Sequence, residues 1–523
     1  MHAADASQSQ PQSSQSHADA ELAAALRECV AHVAAGRFDG GANRCFARVS
    51  ALASLGDGPP QRLARIMADG LVRRLIGSFT GRGISGALID SCGDYFDRQS
   101  VRAARCAFFK LLPALRVAFV AINRAILDAM ENEKFVHVID LSGPAAHPWQ
   151  WLKLMRAFHG RPGGAPQLRI TMVHDDEAFL AHTAALLRRE AEALDMAFSF
   201  HPVLGRLETL DLGDLHHALA MRSGDARAFS CALQMHRLLA VDDTDTQQQL
   251  AAAAVGTGPS VGPRAASSCS CYPPGDVACY YCPPETAKTS LPDPSPTTPF
   301  AAQASSSSSP HPQWTAVPRP ALLPPLAGFL SAARAASPKV VCVMEQDAGD
   351  NVAGGLAARF EEALQHYAAV FEALDDAAGA AGEERAAVER VLLWEEVRDV
   401  LARDGPERRE RHERLHQWAA RMAGAGFAGV PLSYVAKMEA DAALRRCGLR
   451  GYETRGVGGC LLLCRRGRPL YSVSAWRPWP SRGSASASSS GSGSRSSRLP
   501  QLVAAPVQMP WPLLLPPPVY HTH

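Results

Sequence analysis

Residues Phe135-Val-His-Val-Ile-Asp140 form a short, continuously apolar run that ends in a carboxylate. A run of this length reads as a strand covered on both faces, the pattern of a parallel sheet. A helical stretch follows at about residues 149–159, and residues 168–173 repeat the strand pattern. Residues 179–194 then place Leu180, Ala184, Leu187, Ala191 and Leu194 at three- and four-residue steps, a helix face. Further strands fall at 198–203, 229–235 and 339–344. Strands separated by helices imply crossover units, hence an α/β fold with a mostly parallel sheet.

Upstream of this core, residues 19–133 carry helical periodicity. Leu22, Leu26, Val30 and Val33 share one face, as do Leu63, Met67, Leu71 and Leu75. Phe108, Leu112, Leu115, Phe119 and Ile122 repeat the pattern, so this part is expected to be a helical cap. Residues 1–18 are polar low complexity, and a disordered tail is expected. From about 244 to 320 the composition turns to Ala, Ser, Pro, Thr and Gly, which cannot bury enough apolar surface to offset ordering. Because the strand pattern resumes at 339, this is an insertion within the core 134–476 rather than a boundary. Helices are expected at 356–374, 384–403, 407–422 and 434–447, and strands at 451–455, 460–465 and 470–475. Residues 477–523 are Ser/Gly-rich and then Pro-rich, read as a disordered tail.

The 523 residues carry a formal charge of +2, so no global field favours nucleic acid. The N-terminal residues lack the basic and apolar regions of a secretory signal, and no apolar run reaches membrane-spanning length. The 13 cysteines, such as Cys106, Cys231 and Cys342, read as reduced thiols in apolar surroundings.

Several motifs invite a chemical reading. Gly81-Arg-Gly-Ile-Ser-Gly86 has dinucleotide-fingerprint spacing, but a helix precedes it where a strand is required, so it reads as a loop between helices. Asp140-Leu-Ser-Gly-Pro144 follows a strand, and Asp175-Asp176 follows the next, where a ribose-binding acid would lie. Pro144 and Ala145 stand where a cofactor site would want a second glycine, which favours Asp140 as a turn cap. Cys269, Cys271, Cys279 and Cys282 include one C-x-x-C but lack a surrounding zinc-finger pattern, so no metal site is assigned. His137 and His236 lack a partnered nucleophile and read as histidines satisfied within or beside strands.

Glu407-Arg-Arg-Glu-Arg-His-Glu413 is dense in both charge signs. With Pro406 in a first turn and Asp404 as cap, it reads as a helix carrying the four-residue pairs Glu407/Arg411, Glu410/Arg414 and Arg409/Glu413. A solvated face and a charge-lined partner surface are both open readings.

Taken together, these features resemble the plant GRAS family over about residues 22–476. Val136-His137-Val138-Ile139-Asp140 matches its VHIID motif with one conservative change. The PFYRE elements resemble Pro338, Phe360 or Phe371, Tyr367 and Arg409-Glu410, and the SAW element is Ser474-Ala475-Trp476. Strings such as Glu345-Gln-Asp347 and Arg468-Pro-Leu-Tyr-Ser-Val-Ser-Ala-Trp476 are most similar to the Scarecrow-like branch. The resemblance implies a Rossmann-like, methyltransferase-like core under an N-terminal helical cap. It also implies a non-enzymatic nuclear transcriptional regulator without cofactor, linked to gibberellin signalling and root development. Implied partners are DELLA-type and other GRAS proteins and zinc-finger DNA-binding factors, with homo- or heterodimers and indirect contact to DNA. The competing readings are an S-adenosylmethionine-dependent methyltransferase using the Asp140 turn and Asp175, and a direct sequence-specific DNA binder.

Overall fold

Nine strands hydrogen-bond into one sheet in the computed structural model, which describes residues 10–37, 39–91, 96–240, 325–351, 354–378 and 382–479. The expected insertion at 244–320, nearly all of the tail 477–523, and Cys269, Cys271, Cys279 and Cys282 lie outside these residues. Phe135–Asp140 (β1) is flanked by Gln167–His174 (β2) and Ala226–Ala232 (β4), both parallel to it, with Val138 opposite Ile170 and Ala228. Phe198–Leu204 (β3) extends one edge and Val340–Gln346 (β5) the other, giving the parallel order β3-β2-β1-β4-β5. Arg468–Pro478 (β9) adds antiparallel to β5, followed by Cys460–Arg465 (β8) and Tyr452–Val457 (β7), while Phe427–Gly429 (β6) pairs with the far end of β9.

The sheet is covered on both faces, as its apolar strands require. Phe119, Ile122, Trp151 and Phe158, from Ala114–Ala129 (α5) and Pro148–His159 (α6), pack under Val136, Val138 and Ile170. On the other face Phe329 of Pro325–Ala335 (α9) and Trp418 and Met422 of Leu415–Gly424 (α13) cover Ile139, Phe229 and Val341.

A separate apolar core joins Gln10–Ala34 (α1), Gly40–Ala53 (α2) and Pro59–Ser91 (α3) to Gly355–Ala378 (α10) and Trp394–Ala402 (α12). Thus α5, expected within the 19–133 helical part, packs on the sheet instead. It buries ten of its residues and needs cover nearly all round. Gly382–Ala387 (α11) leads through a π-helical stretch, Val388–Leu393, into α12.

Two further local readings differ. The first helix starts at Gln10, inside the stretch expected to be disordered, because Pro11 is tolerated in a first turn. Gly81–Gly86 lies inside α3 and is no loop, since a glycine costs a helix only about 1 kcal/mol relative to alanine. With a helix on both sides, its dinucleotide spacing carries no phosphate chemistry. Among the described residues no single helix is long and apolar enough to cross a membrane.

Gly70 marks a close helix approach. A Cβ there would sit 3.2 Å from Leu401 Cβ and 3.6 Å from Arg398 Cα across the α3–α12 contact. Gly70→Val is expected to overpack this seam and lower stability by about 1–3 kcal/mol, read as a lower denaturation midpoint in urea.

Candidate functional site

A cleft of about 920 Å³ opens beyond the carboxyl ends of the parallel strands. Chain order reverses there between β1 and β4, the place where open α/β sheets bind ligands. Phe109, His147, Trp149 and Phe179 form apolar walls, and His236, Glu396 and Glu410 lie at the polar end.

The acids that a nucleotide would use are already engaged. Asp140 is fully buried, and its carboxylate accepts from Ser142 N at 2.9 Å and Trp151 Nε1 at 2.8 Å. Burial raises its pKa against the pull of those donors. Asp140 therefore fastens the β1 turn to α6. Asp175 pairs with Arg206 at 2.9 Å. Asp176 caps Glu177–Ala193 (α7) through Ala178 N and Phe179 N and pairs with Arg102, whose hydrogen bonds hold its pKa down at about 2.

Three histidines are held in their neutral form, His147 and His174 on the cleft and His137 inside β1. His137 Nε2 lies 2.8 Å from Thr171 Oγ1, whose hydroxyl donates to Leu219 O, so the ring nitrogen is the donor of that pair. Burial, reinforced by Arg169 and Arg227, lowers His137 to about 3. His147 Nδ1 accepts from Trp149 N, and His174 Nδ1 accepts from Asp176 N. Burial lowers both to about 4, and protonation of either would set N–H against N–H.

The stretch after α12 departs most from expectation. Only Gly405–Glu407 forms a 3-10 turn, and regular helix begins at Leu415. The backbone N–H groups of Arg409 and Glu410 donate to Asp399 Oδ1, that of His412 to Asp350 Oδ1, and that of Leu415 to Asp347 Oδ1. Remote carboxylates thus take donors that a helix would have given to its own carbonyls. Arg408, Arg411, His412 and Glu413 are buried, so this is neither a solvated helix face nor an exposed partner surface.

Two histidines organise the cluster. His236, in the Met235–Ala240 turn after β4, places Nδ1 2.7 Å from Glu345 Oε2 and Nε2 2.8 Å from Glu410 Oε2. Burial opposes its charge, but Glu345 and Glu410 outweigh burial and raise the ring to about 9. His412 Nδ1 lies 2.6 Å from Asp350 Oδ2. Burial again opposes charge, and Asp350, Glu410 and Glu396 together hold this ring well above the ordinary histidine range. Arg237 braces the other Glu410 oxygen at 2.7 Å, and Glu396 accepts from Tyr367 Oη at 2.8 Å.

The fold thus gathers Tyr367 and Glu410 from distant sequence positions, while Arg409 is exposed on the cleft rim. Val136, Val138 and Ile139 are core residues of β1. Pro338 is buried in the turn before β5. Ser474, Ala475 and Trp476 pair with Val343, Cys342 and Val341, at the opposite end of β5 from the cleft. Phe360 and Phe371 both lie in the helical core. Sequence reasoning missed Glu345, Asp350, Glu396, Asp399 and His412. A usable signal was the acid pair of Glu345-Gln-Asp347 closing an apolar strand.

Comparison with known proteins places this geometry in context. The family model described as the GRAS domain family matches residues 22–477. The chain is 37% identical over 460 residues to Scarecrow-like protein 3 of Arabidopsis thaliana, covering 86% of this chain and 88% of that protein. It is 26% identical to DELLA protein GAI1 of Vitis vinifera, covering 80% of this chain and 55% of that protein. The crystal structure of SCL7 from Oryza sativa superposes with a TM-score of 0.62 at 24% identity, over 87% of this chain and 99% of that one, a likeness of fold.

Two measurements test the roles assigned to buried groups. Asp140→Asn leaves either Ser142 N or Trp151 Nε1 without its acceptor, an expected loss of about 1–3 kcal/mol in equilibrium unfolding. The neutral histidines set an acid limit. Unfolded rings take up protons near pH 6.5, whereas folded His137 does so only at about 3 and His147 and His174 at about 4. The stability that these three rings contribute is therefore complete above about pH 6.5 and declines as pH falls toward 4. His137→Gln, which keeps a donor toward Thr171, is expected to flatten that decline in urea melts between pH 7 and about 5.

Proposed function

The chain belongs to the GRAS domain family, and on that premise we propose that it is a nuclear transcriptional co-regulator acting through protein–protein contact in gibberellin signalling and root development. The observation that carries this reading is the 37% identity to Scarecrow-like protein 3 across 86% of the chain. Its partners are DELLA-type and other GRAS proteins, a reading supported by the likeness to DELLA protein GAI1, together with zinc-finger DNA-binding factors. Contact with DNA is through those factors, and a homo- or heterodimer covers apolar faces of the amphipathic cap helices.

The core is read as Rossmann-like and methyltransferase-like beneath a helical cap. The parallel order β3-β2-β1-β4-β5 with an antiparallel neighbour at β5 supports this. An open cleft at the switch point favours a second reading, a methyltransferase. Against it stand Asp140, Asp175 and Asp176, each committed to protein donors.

A docking face is offered by Tyr434–Arg446 (α14), where Tyr434, Val435 and Met438 are 76%, 42% and 46% exposed. Exposed apolar clusters of this kind commonly serve partners. The full chain, immobilised in plant nuclear extract, is expected to retain DELLA-type GRAS proteins and zinc-finger factors, with less recovered by a Tyr434→Ser, Met438→Ser variant. Calorimetry with S-adenosylmethionine is expected to show no binding. Stoichiometric heat would move the assignment to the enzyme, and retention of one DNA sequence by the purified chain alone would make it a direct reader.

A further inference from the structure

We propose that His236, His412 and Glu410 form a binding site for a divalent transition-metal ion, Zn²⁺ by its donor set, at the polar end of the cleft. The ligand atoms of these three residues all lie within 4.8 Å of one another. Glu410 Oε2 stands 2.8 Å from His236 Nε2 and 3.6 Å from His412 Nε2, so one carboxylate oxygen faces both rings. Each ring turns its Nδ1 to a buried carboxylate, His236 to Glu345 and His412 to Asp350. That is the outer-shell arrangement that fixes a metal-ligating imidazole with Nε2 toward the ion.

A hydrogen-bond network alone accounts for His236, both of whose ring nitrogens have carboxylate partners. It does not account for His412. Its ring is fully buried and its Nε2 has no hydrogen-bond partner, Glu410 being too far and Glu396 Oε1 farther still at 3.9 Å. A buried imidazole nitrogen aimed at two carboxylates without bonding either is costly as a final arrangement and suitable as a ligand. An ion between the rings would bond His412 Nε2 and take the place of the proton shared by His236 and Glu410.

Two imidazoles and one carboxylate suit Zn²⁺, and a site with three protein ligands leaves a fourth position open. Glu396 or a molecule in the cleft could fill it, since Glu396 and Glu410 both reach the cleft. The site is independent of the regulatory reading above. It would tie the Arg408–Arg414 stretch to the ends of β4 and β5.

The rival ligands are thiolates, above all Cys269, Cys271, Cys279 and Cys282. The test therefore uses the full chain with those four cysteines changed to serine, stripped with chelator and titrated with Co²⁺ and Zn²⁺. One Co²⁺ per chain is expected, with visible d–d bands of a four-coordinate ion and no thiolate-to-metal charge transfer. Zn²⁺ should displace it. Glu410→Gln is expected to weaken Zn²⁺ by more than the about 10–100-fold that losing an outer-shell partner costs, and His412→Gln should remove the bands. The cobalt spectrum of the chain with native His236, His412 and Glu410 does not depend on how those variants fold. Absence of the bands there, charge transfer from sulfur, or affinity unchanged by Glu410→Gln would each overturn the assignment.

Discussion

Carboxylates from three separate places hold the backbone of Arg409 to Leu415: Asp399 at the end of α12, Asp350 beyond β5, and Asp347 just after β5. The geometry of the whole site rests on these bonds. They keep a highly charged stretch out of helix, carry it into the interior, and set Glu410 against His236. The same contacts join the end of the sheet to the helical core, because α12 packs against α3 while β5 lies in the sheet. Desolvating so many charges is expensive, and it is tolerable only because nearly every one meets an opposite charge or a backbone partner.

The cleft above this cluster has the position of a cofactor site and a different chemistry. Where a nucleotide would meet free acids and close-approaching backbone, Asp140 fastens Trp151, Asp175 holds Arg206, and Asp176 caps α7 against Arg102. Its walls are aromatic, and His147 and His174 serve there as uncharged acceptors. The π-helical stretch Val388–Leu393 forms part of the rim, just before the helix that brings Glu396 to Tyr367. One extra residue per turn shifts the phase of the helix beyond it, a device often found beside sites. The ionisable cluster of the cleft lies instead at the ends of β4 and β5, around His236 and Glu345.

Much of this was readable in the chain. The β1 run was legible because a strand buried on both faces is largely apolar, and β2 and β8 followed from the same rule. Glu407–Glu413 was misread for an equally physical reason. Its charges are spaced four apart, which satisfies a helix surface as well as it satisfies nothing in particular, and periodicity cannot say that partners such as His236 and Asp350 come from distant parts of the chain. The helix α5 was assigned to the wrong neighbours because its pattern declares an apolar surface without naming what covers it.

The sequence by itself determined the family, the strand-and-helix alternation, and the places where charge is dense, since these depend on local spacing and side-chain polarity. The tertiary structure alone decided which charges are buried, which acids are spent on backbone donors, and which histidines meet. Those outcomes depend on desolvation and on contacts between residues such as His236, Glu345 and His412. No local pattern encodes them, because the energy of a charge is fixed by whatever the fold brings within a few ångströms of it.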